Sequence, residues 1–443
     1  MSSAQPSESA IPNQAYHPRG RTILHEIIDR HYQDFISEHE QKYRETYGDY
    51  RFERIERVIG QFRECGDYSK GMARIRCTNP ECGFDYFRPF SCKSFYLCPS
   101  CHQKRTLLFA EHLTEQVLLD LPHCQFVFSI PKALRVFFRY DRRLFADVSR
   151  LIYRMIIDFY TEAAGRPITG AAILAFQTYG DFLRFNAHWH ALVLEGGFDG
   201  EGTFYYLPYR NLERMTQYFR RKLIGLFLKK ELINEQFARN LLSWKHSGFS
   251  IDDSAKCFDT KSQASLAEYI SRPPISLEKL RYDPMHGRIL WHTKYNRYFG
   301  QNVKMMDGPE FIRELVQHIP PKRIQLIRRY GLYSSRGKGT WTAKEYVAER
   351  APQAWREAHG LQDEVPPFEA IPESQTVDQA AVKSAWARLL AKIYEVHPFV
   401  CDKCGSDMRV IAIIQDQAEI TKILQHLVKQ GRAPPGVDPA SLN

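Results

Sequence analysis

LRFNAHWHALVLEGG, at residues 183–197, alternates polar and apolar side chains and then becomes continuously apolar. Such a pattern predicts a β-strand, in which side chains two residues apart point to the same face of the sheet. His188 and His190 should therefore share one face, while Trp189 packs on the other. Two imidazoles on one face, with no cysteine nearby, suit a hard divalent cation that keeps positions open for phosphate oxygens. Taken alone, the pair fits two ordinary histidines without a ligand at least as well.

Two neighbouring segments are expected to pair with this strand. CQFVFSIP, at 124–131, predicts a buried strand that ends at its proline, and AAILAFQTYG, at 171–180, predicts another, followed by a turn. Segments with helical periodicity lie around them, at 21–64, 142–163 and 209–244. The sequence therefore predicts an α+β protein, in which an N-terminal helical and zinc-binding module precedes a catalytic domain with a central antiparallel sheet flanked by helices.

Composition divides the chain of 443 residues further. Its start, MSSAQPSESAIPNQ, is polar and has no apolar signal core, which predicts a disordered tail and a cytoplasmic protein. No apolar run approaches the roughly 18 residues that a membrane span needs. The expected segments are a tail at 1–20, N-terminal helices at 21–64, a zinc-binding module at 65–105, a catalytic domain at 106–345, a linker at 346–378, and C-terminal helices with a CxxC turn at 379–443.

Positive charge is concentrated in one part of the chain. The net charge is +10, and residues 261–350 alone hold 17 Lys or Arg against 8 Asp or Glu. Such a concentration favours a polyanion, because binding releases condensed counterions. Aromatic residues interleave with these cations, which suits stacking on unpaired bases. A solvated basic surface and an ordinary aromatic core are the alternatives.

Cysteines are clustered in the N-terminal part, where six of the ten fall within residues 65–101. In a chain without a signal peptide, such clustering indicates a metal site before disulfides. The pairs Cys77–Cys82 and Cys98–Cys101 have the spacing of two knuckles that close one tetrahedral zinc site.

Four further cysteines leave alternatives open. Cys65 and Cys92 could replace a ligand of that zinc site or help to hold a second ion. Cys401 and Cys404 form another C-x2-C pair, which cannot fill a tetrahedron alone. Either this pair meets His397 and one more distant ligand, or it is a reduced turn.

Several stretches, in this order, resemble the rolling-circle HUH transposases of the insertion-sequence ninety-one family, especially its single-tyrosine, common-region relatives. The resemblance spans roughly residues 50–420, and the combination is far more specific than any one stretch. The stretches are RCTNPECGFDYFRPFSCKSFYLCPSCHQKR (76–105), AHWHALVLEGGF (187–198), LAEYISRPPIS (266–276), FIRELVQHIPPKRIQLIRRYGLYSSRGKG (311–339) and HPFVCDKCGSDMRVIAII (397–414).

This resemblance implies an HUH-nuclease catalytic domain in which His188 and His190 hold Mg²⁺ or Mn²⁺ and Tyr269 attacks single-stranded, hairpin-bearing transposon ends. Because a phenol has a reference pKa of about 10, it needs a metal and nearby cations to attack. A 5′-phosphotyrosine and a free 3′-hydroxyl would result, so that rejoining needs no ATP. Two-tyrosine members carry a second tyrosine where this chain has Ser265, which implies a one-tyrosine enzyme.

Other site residues are open at this point. The third metal ligand could be Gln177 on the preceding strand, or else Asp181 or Asn186, and a structural role for Gln177 is the alternative. The candidates for DNA contacts, against the alternative of a solvated basic loop, are Arg272, Lys322, Arg323, Arg328 and Arg329 for phosphates and Tyr330 and Tyr333 for base stacking.

Two other functions compete with a transposase. One is a plasmid relaxase or replication initiator of the HUH class, against which the cysteine-rich N-terminus argues. The other is a zinc-dependent DNA-binding regulator without catalysis, which predicts no covalent adduct with DNA.

Overall fold

A computed structural model of the chain describes residues 21–47, 51–94, 96–208, 212–257, 263, 267–268, 270–272, 274–297, 299–361, 401, 403–434 and 437–442. Tyr269, Ser265, His397 and the predicted tail lie outside these residues. The chain divides into two compact units. The smaller comprises Met1–Thr22, Glu64–Cys92 and Asp378–Asn443, and the larger Ile23–Arg63 and Lys93–Val377.

Helices and strands are mixed along the described chain, as predicted. The helices are α1 Ile23–Glu38, α2 Arg44–Tyr47, α3 Phe52–Arg63, α4 Pro99–Gln116, α5 Lys132–Tyr140, α6 Leu144–Ala164, α7 Leu212–Lys229, α8 Glu235–Ser243, α9 Gly308–Val316, α10 Ser335–Lys338, α11 Glu345–Ala348, α12 Gln353–Ala358 and α13 Gln417–Lys429. The strands are β1 Met72–Cys77, β2 Asp85–Pro89, β3 His123–Ser129, β4 Ala171–Tyr179, β5 Phe185–Leu194, β6 Gly196–Phe198, β7 Phe204–Tyr206, β8 Ser250–Cys257, β9 Leu280–Asp283, β10 Arg288–Asn296, β11 Gln301–Asp307, β12 Ile327–Gly331 and β13 Met408–Ile414.

A five-stranded antiparallel sheet forms the centre of the larger unit. Its order is β12-β4-β5-β3-β8, so the His-x-His strand, β5, has neighbours on both sides. In the register, His188 lies opposite Gln177 of β4 and opposite Ser129 of β3. The predicted strands and the antiparallel α+β architecture are therefore confirmed, and a short 3₁₀ turn at Asp181–Leu183 lies between β4 and β5.

The two faces of this sheet are covered by different parts of the larger unit. Trp189 is fully buried on one face, where its ring contacts Phe138 of α5 and Phe145 of α6 at centroid distances of 5.3 Å. Helix α4 and the segment around Trp341 pack on the opposite face, to which the even-numbered residues of β5 point. This alternation places His188 and His190 on the face away from Trp189, as the sequence predicted.

The segment expected to be a linker begins with folded structure. Within residues 345–358, α11 and α12 contribute Val347 and Trp355 to the core on the histidine face of the sheet. The ring of Trp355 contacts that of Trp341 edge to face, at 5.3 Å between centroids. Pro and Glu in this stretch thus accompany short helices rather than an extended chain.

The smaller unit is built on a three-stranded antiparallel sheet of order β13-β1-β2. Its pairing joins residues more than 300 positions apart, from Met72 opposite Ile414 to Cys77 opposite Met408. Helix α13 supplies Ile420 to a small core around Met72. Among the described residues, no helix combines the length and the apolar character that crossing a bilayer requires.

Candidate active site

His188 and His190 lie side by side on β5. Their ring centroids are 5.0 Å apart with the planes at 71°, and the two residues are 9% and 4% exposed. The structure thus brings together the two histidines that the sequence predicted as metal ligands. It holds them in a buried position in which one ion could contact both rings.

Hydrogen bonds at Nδ1 orient both rings. The Nδ1–H of His188 donates to the backbone carbonyl of Asn186, 2.8 Å away, so Nε2 is the ring nitrogen that can bind a metal. The side-chain amide of Gln125 lies 3.0 Å from Nδ1 of His190 and is itself 1% exposed. Rotation of this amide presents its oxygen to Nδ1–H, which would again assign metal binding to Nε2. Sequence patterns gave no indication of Gln125.

Burial keeps both imidazoles neutral. It lowers the pKa of His188 to about 4 and that of His190 to about 3, and for His190 the nearby His188 and Arg272 lower the pKa further. Neutral imidazole is the form that binds metals, because a protonated ring has no lone pair to donate. At neutral pH the pair is therefore in the protonation state that a cation needs.

The segment after Tyr269 is anchored beside the histidines. The Gln177 amide, which faces His188 across the β4–β5 pairing, donates to the Ile270 carbonyl at 3.2 Å. The Tyr179 hydroxyl donates to the Arg272 carbonyl. A third anchor comes from α4, where His102 and Thr106 both donate to the carbonyl of Ser271. Three successive backbone carbonyls are thus tied to the elements that form the histidine face.

The three candidates for a third metal ligand differ in what they contact. The Asp181 carboxylate accepts a hydrogen bond from the Asn296 amide at 2.6 Å and is exposed. Gln177 uses its amide nitrogen on Ile270, which leaves its oxygen as the possible ligand atom. The side-chain oxygen of Asn186 is buried without a hydrogen-bond partner among the described residues. Because a buried orphan acceptor is costly, Asn186 is the candidate that a cation would satisfy best.

A basic cavity of 560 Å³, the arginine cavity, lies beside this anchored segment. Arg105, Arg142, Arg272, Arg328 and Arg329 line it, and no Asp or Glu is among its described lining residues. Such a lining favours anions, because no carboxylate among the described lining residues compensates these five arginines. Arg105 and Arg142 were not foreseen, since they lie far along the chain from the other three.

The predicted DNA-binding residues separate into two groups. Arg272, Arg328, Arg329 and Tyr330 line the cavity. Lys322 and Arg323 are not among the described residues lining it, and Lys322 lies 3.6 Å from the carboxylate of Glu53. They are exposed on the loop that precedes β12.

Tyr333 does not occupy the position that base stacking requires. It is fully buried, and its hydroxyl lies 2.6 Å from Nε2 of His123 and accepts a hydrogen bond from the backbone N–H of Leu119. The prediction for Tyr333 is therefore wrong, because the residue is part of the core. Tyr330 is half-buried and stacks on Tyr153, with centroids 5.1 Å apart.

The cysteines are grouped differently from the sequence-based pairing. Within the smaller unit, Cys77 and Cys82 meet Cys401 and Cys404 rather than a second pair from the 65–101 segment. The four sulfur atoms of this group all lie within 4.8 Å of one another. The expected single site of Cys77, Cys82, Cys98 and Cys101 is therefore wrong, and neither His397 nor a solitary turn is needed to explain Cys401 and Cys404.

Comparison with known proteins assigns both regions to transposases. Residues 171–339 match a family model described as a putative transposase, and residues 35–130 match a transposase zinc-binding domain. The first match contains His188 and His190, and the second contains the cysteines of the 65–101 segment. The matched zinc-binding domain and the cysteine group of the smaller unit together support structural zinc.

Two bacterial proteins are similar over most of their length. The chain is 26% identical over 312 residues to the transposase for insertion sequence element IS801 of Pseudomonas savastanoi pv. phaseolicola, covering 66% of this chain and 73% of that protein. It is 24% identical over 283 residues to the putative transposase y4qJ of Sinorhizobium fredii, covering 58% and 69%. No solved structure matches the chain significantly.

Proposed function

Because the chain belongs to the insertion-sequence ninety-one family of transposases, we propose that it cuts and rejoins single-stranded DNA by a rolling-circle HUH mechanism. Tyr269 is the nucleophile in this proposal, and His188 and His190 hold a divalent cation, Mg²⁺ or Mn²⁺. DNA binding follows from the family itself. The tyrosine mechanism and the single-stranded substrate are the parts that require a test.

One observation carries the proposal. The carbonyl of Ile270, the residue after Tyr269, is bonded to Gln177, and Gln177 faces His188 in the sheet. The backbone beside the proposed nucleophile is thus held at the edge of the proposed metal site. A tyrosine enzyme needs this proximity, because one phosphate must contact the phenol and the metal together.

The residues present fit a divalent cation. Two neutral, buried imidazoles and the orphan oxygen of Asn186 offer nitrogen and oxygen ligands, and no thiol lies among them. This mixture suits Mg²⁺ or Mn²⁺ with positions left for phosphate oxygens. The cation would polarise the scissile phosphate. The Asn186 carbonyl and Gln125 would keep both rings aimed at it.

The arginine cavity supplies the surface for DNA. Arg272 belongs both to the anchored segment and to the cavity wall, which connects phosphate binding with the segment that follows Tyr269. Phosphates on either side of the scissile bond would thus be held while the phenol attacks. We propose single-stranded transposon ends with hairpins as the substrate, and the bacterial cytoplasm as the place of the reaction.

The two alternatives make different predictions. A relaxase or replication initiator would nick an origin without transferring both ends of an element. A zinc-dependent regulator would bind DNA and form no adduct. The transposase matches over residues 35–130 and 171–339 favour the first proposal over both.

A covalent adduct with DNA is the direct test. The full-length protein is incubated with single-stranded end oligonucleotides and Mn²⁺, and the adduct is resolved on a denaturing gel. We expect the wild type to form it, and Tyr269→Phe, His188→Ala and His190→Ala to lose it. Ser265→Ala is the matched control and should keep it. An adduct that persists in Tyr269→Phe would overturn the assignment of the nucleophile.

A further inference from the structure

We infer that Cys77, Cys82, Cys401 and Cys404 form a second zinc site. This site joins two segments of the smaller unit that are more than 300 residues apart in the chain. The matched zinc-binding domain ends at residue 130, so it contains only half of these ligands. The site is separate from the proposed nuclease chemistry, and its test does not depend on that chemistry.

The spacing of the sulfur atoms fits one tetrahedral ion. The Sγ atoms of Cys77 and Cys404 are 3.5 Å apart, and those of Cys82 and Cys401 are 3.6 Å apart. Four sulfurs at about 2.3 Å from a zinc ion would be separated by about 3.8 Å from one another. The four thiols therefore already surround a space of the size that a zinc ion needs. All four members of the group are cysteines.

Both ligand pairs lie on turns of the kind that zinc knuckles use. Gly83, which follows Cys82, has a φ of 60°, and Gly405, which follows Cys404, has a φ of 72°. Each glycine thus adopts the left-handed conformation that lets the chain double back after the second ligand. The backbone N–H of Asn79 also points to the sulfur of Cys77 at 3.4 Å. Such a bond favours the thiolate, the form that binds zinc.

The pairing of β1 with β13 brings the two cysteine pairs together. Cys77 is the last residue of β1 and lies opposite Met408, the first residue of β13. Cys401 is 2% exposed and packs with Cys77 and Met408 in a small apolar cluster. The β1–β13 register therefore fixes where both turns meet, and the thiol group caps this end of the sheet.

Besides the β1–β13 pairing and the contact of Arg432 with Asp85, the smaller unit has only a small apolar core to hold its C-terminal part. Its described core consists of Tyr68, Met72, Ile420 and Leu424, with the small cluster around Cys77 and Met408. A core this small gains from a metal, because zinc binding supplies folding free energy directly. Loss of the ion should thus release β13 and α13 from β1. The C-terminal segment is then an integral part of the zinc-binding module.

Zinc content of the purified full-length chain tests this inference. We expect two zinc ions per chain, and one after Cys401→Ser together with Cys404→Ser. Cys98→Ser with Cys101→Ser should also leave one, because this knuckle lies outside the group of Cys77, Cys82, Cys401 and Cys404. The control is Cys124→Ala, a buried cysteine outside this group and outside the 65–101 segment, which should keep two. Two ions retained in the Cys401/Cys404 variant, or one in the wild type, would overturn the second site.

Two further measurements keep the test decisive if a variant folds poorly. X-ray absorption at the zinc edge of the wild type should give four sulfur neighbours at about 2.3 Å and no nitrogen. Limited proteolysis should cleave the Cys401/Cys404 variant within residues 401–434 much faster than the wild type. A protease pattern unchanged by the double substitution would show that zinc does not hold this segment.

Discussion

The amide nitrogen of Gln177 donates to the carbonyl oxygen of Ile270 at 3.2 Å, and this bond ties the segment after Tyr269 to the strand beside His188. This bond gives Gln177 a role in positioning the backbone and leaves only its amide oxygen for an ion. Asn186, whose buried oxygen has no hydrogen-bond partner in the described part of the chain, is then the better candidate for the third ligand. The roles of Asn186 and Gln177 can be distinguished by how adduct formation in each variant depends on the Mn²⁺ concentration.

Asn186→Ala should raise the Mn²⁺ concentration for half-maximal adduct formation by at least the roughly 10–100-fold that losing a group behind a ligand costs, because the proposed ligand itself is lost. Gln177→Ala should lower the adduct yield at saturating Mn²⁺ without shifting that midpoint, because it loosens residues 270–272. The measurement is the adduct yield of both variants over a range of Mn²⁺ concentrations, with the oligonucleotide concentration held constant. The opposite pattern would make Gln177 the ligand.

Gln125 should control metal affinity although it touches no metal. Its amide is the partner of His190 Nδ1, so Gln125→Leu removes the bond that fixes the ring while keeping a similar volume. We expect a loss of metal affinity of about 10–100-fold with the fold retained. Calorimetric Mn²⁺ titration measures the affinity, and thermal unfolding monitors the fold. An unchanged affinity would mean that the ring is held by packing alone.

The sequence could predict that His188 and His190 share a face because strand alternation is a local property. Once residues 183–197 form a strand, His188 and His190 must share a face, whatever surrounds them. Their orienting partners are a different matter. Gln125 lies on β3, and its contact with His190 arises only from the β3–β5 register, which no spacing within either strand encodes.

The cysteine pairing failed for a related reason. Zinc knuckles can be recognised singly from a C-x2-C or C-x4-C spacing, but the spacing does not say which two knuckles share an ion. Cys98 and Cys101 are nearer in sequence to Cys77, yet the β1–β13 pairing brings Cys401 and Cys404 to it across more than 300 residues. The positions of Arg105 and Arg142 in the arginine cavity could not be predicted either, because the fold brings them to Arg272, Arg328 and Arg329 from distant parts of the chain.

Arg328 should contribute more to DNA binding than Lys322. Arg328 lines the arginine cavity, and its Nε is buried without a hydrogen-bond partner among the described residues, whereas Lys322 is exposed next to Glu53. Arg328→Gln should weaken single-stranded DNA binding and reduce the salt slope by about 0.7, the value for one phosphate contact. Lys322→Gln is the matched control. Fluorescence anisotropy over a range of salt concentrations measures both, and equal slopes would contradict the assignment.

Tyr333 and Tyr330 should behave as opposites. The Tyr333 hydroxyl bonds to His123 and Leu119 inside the core, so Tyr333→Phe should lower the free energy of unfolding by about 1–3 kcal/mol and leave DNA binding unchanged. Tyr330→Ala should instead weaken single-stranded DNA binding by about 1–3 kcal/mol if a base stacks on its ring. Urea unfolding and anisotropy distinguish the two effects, and reduced DNA binding in Tyr333→Phe would contradict its structural role.

Asp85 should make the smaller unit sensitive to acid. Burial alone would raise the pKa of this carboxyl, but hydrogen bonds and ion pairs from Arg74 and Arg432 outweigh burial and lower the pKa below its ordinary value. A carboxylate with a lowered folded-state pKa stabilises the fold above its unfolded pKa of about 3.9, and this contribution is lost as the pH falls through the folded-state pKa.

Asp85→Asn should thus be less stable than the wild type at pH 7, and the difference should shrink as the pH falls below about 4. Urea unfolding of both proteins across this range is the measurement, with Asp438→Asn, an exposed aspartate of the same unit, as the control. A difference that stays constant with pH would mean that the substituted amide destabilises the fold for steric reasons, and that the two arginines do not stabilise this unit through charge.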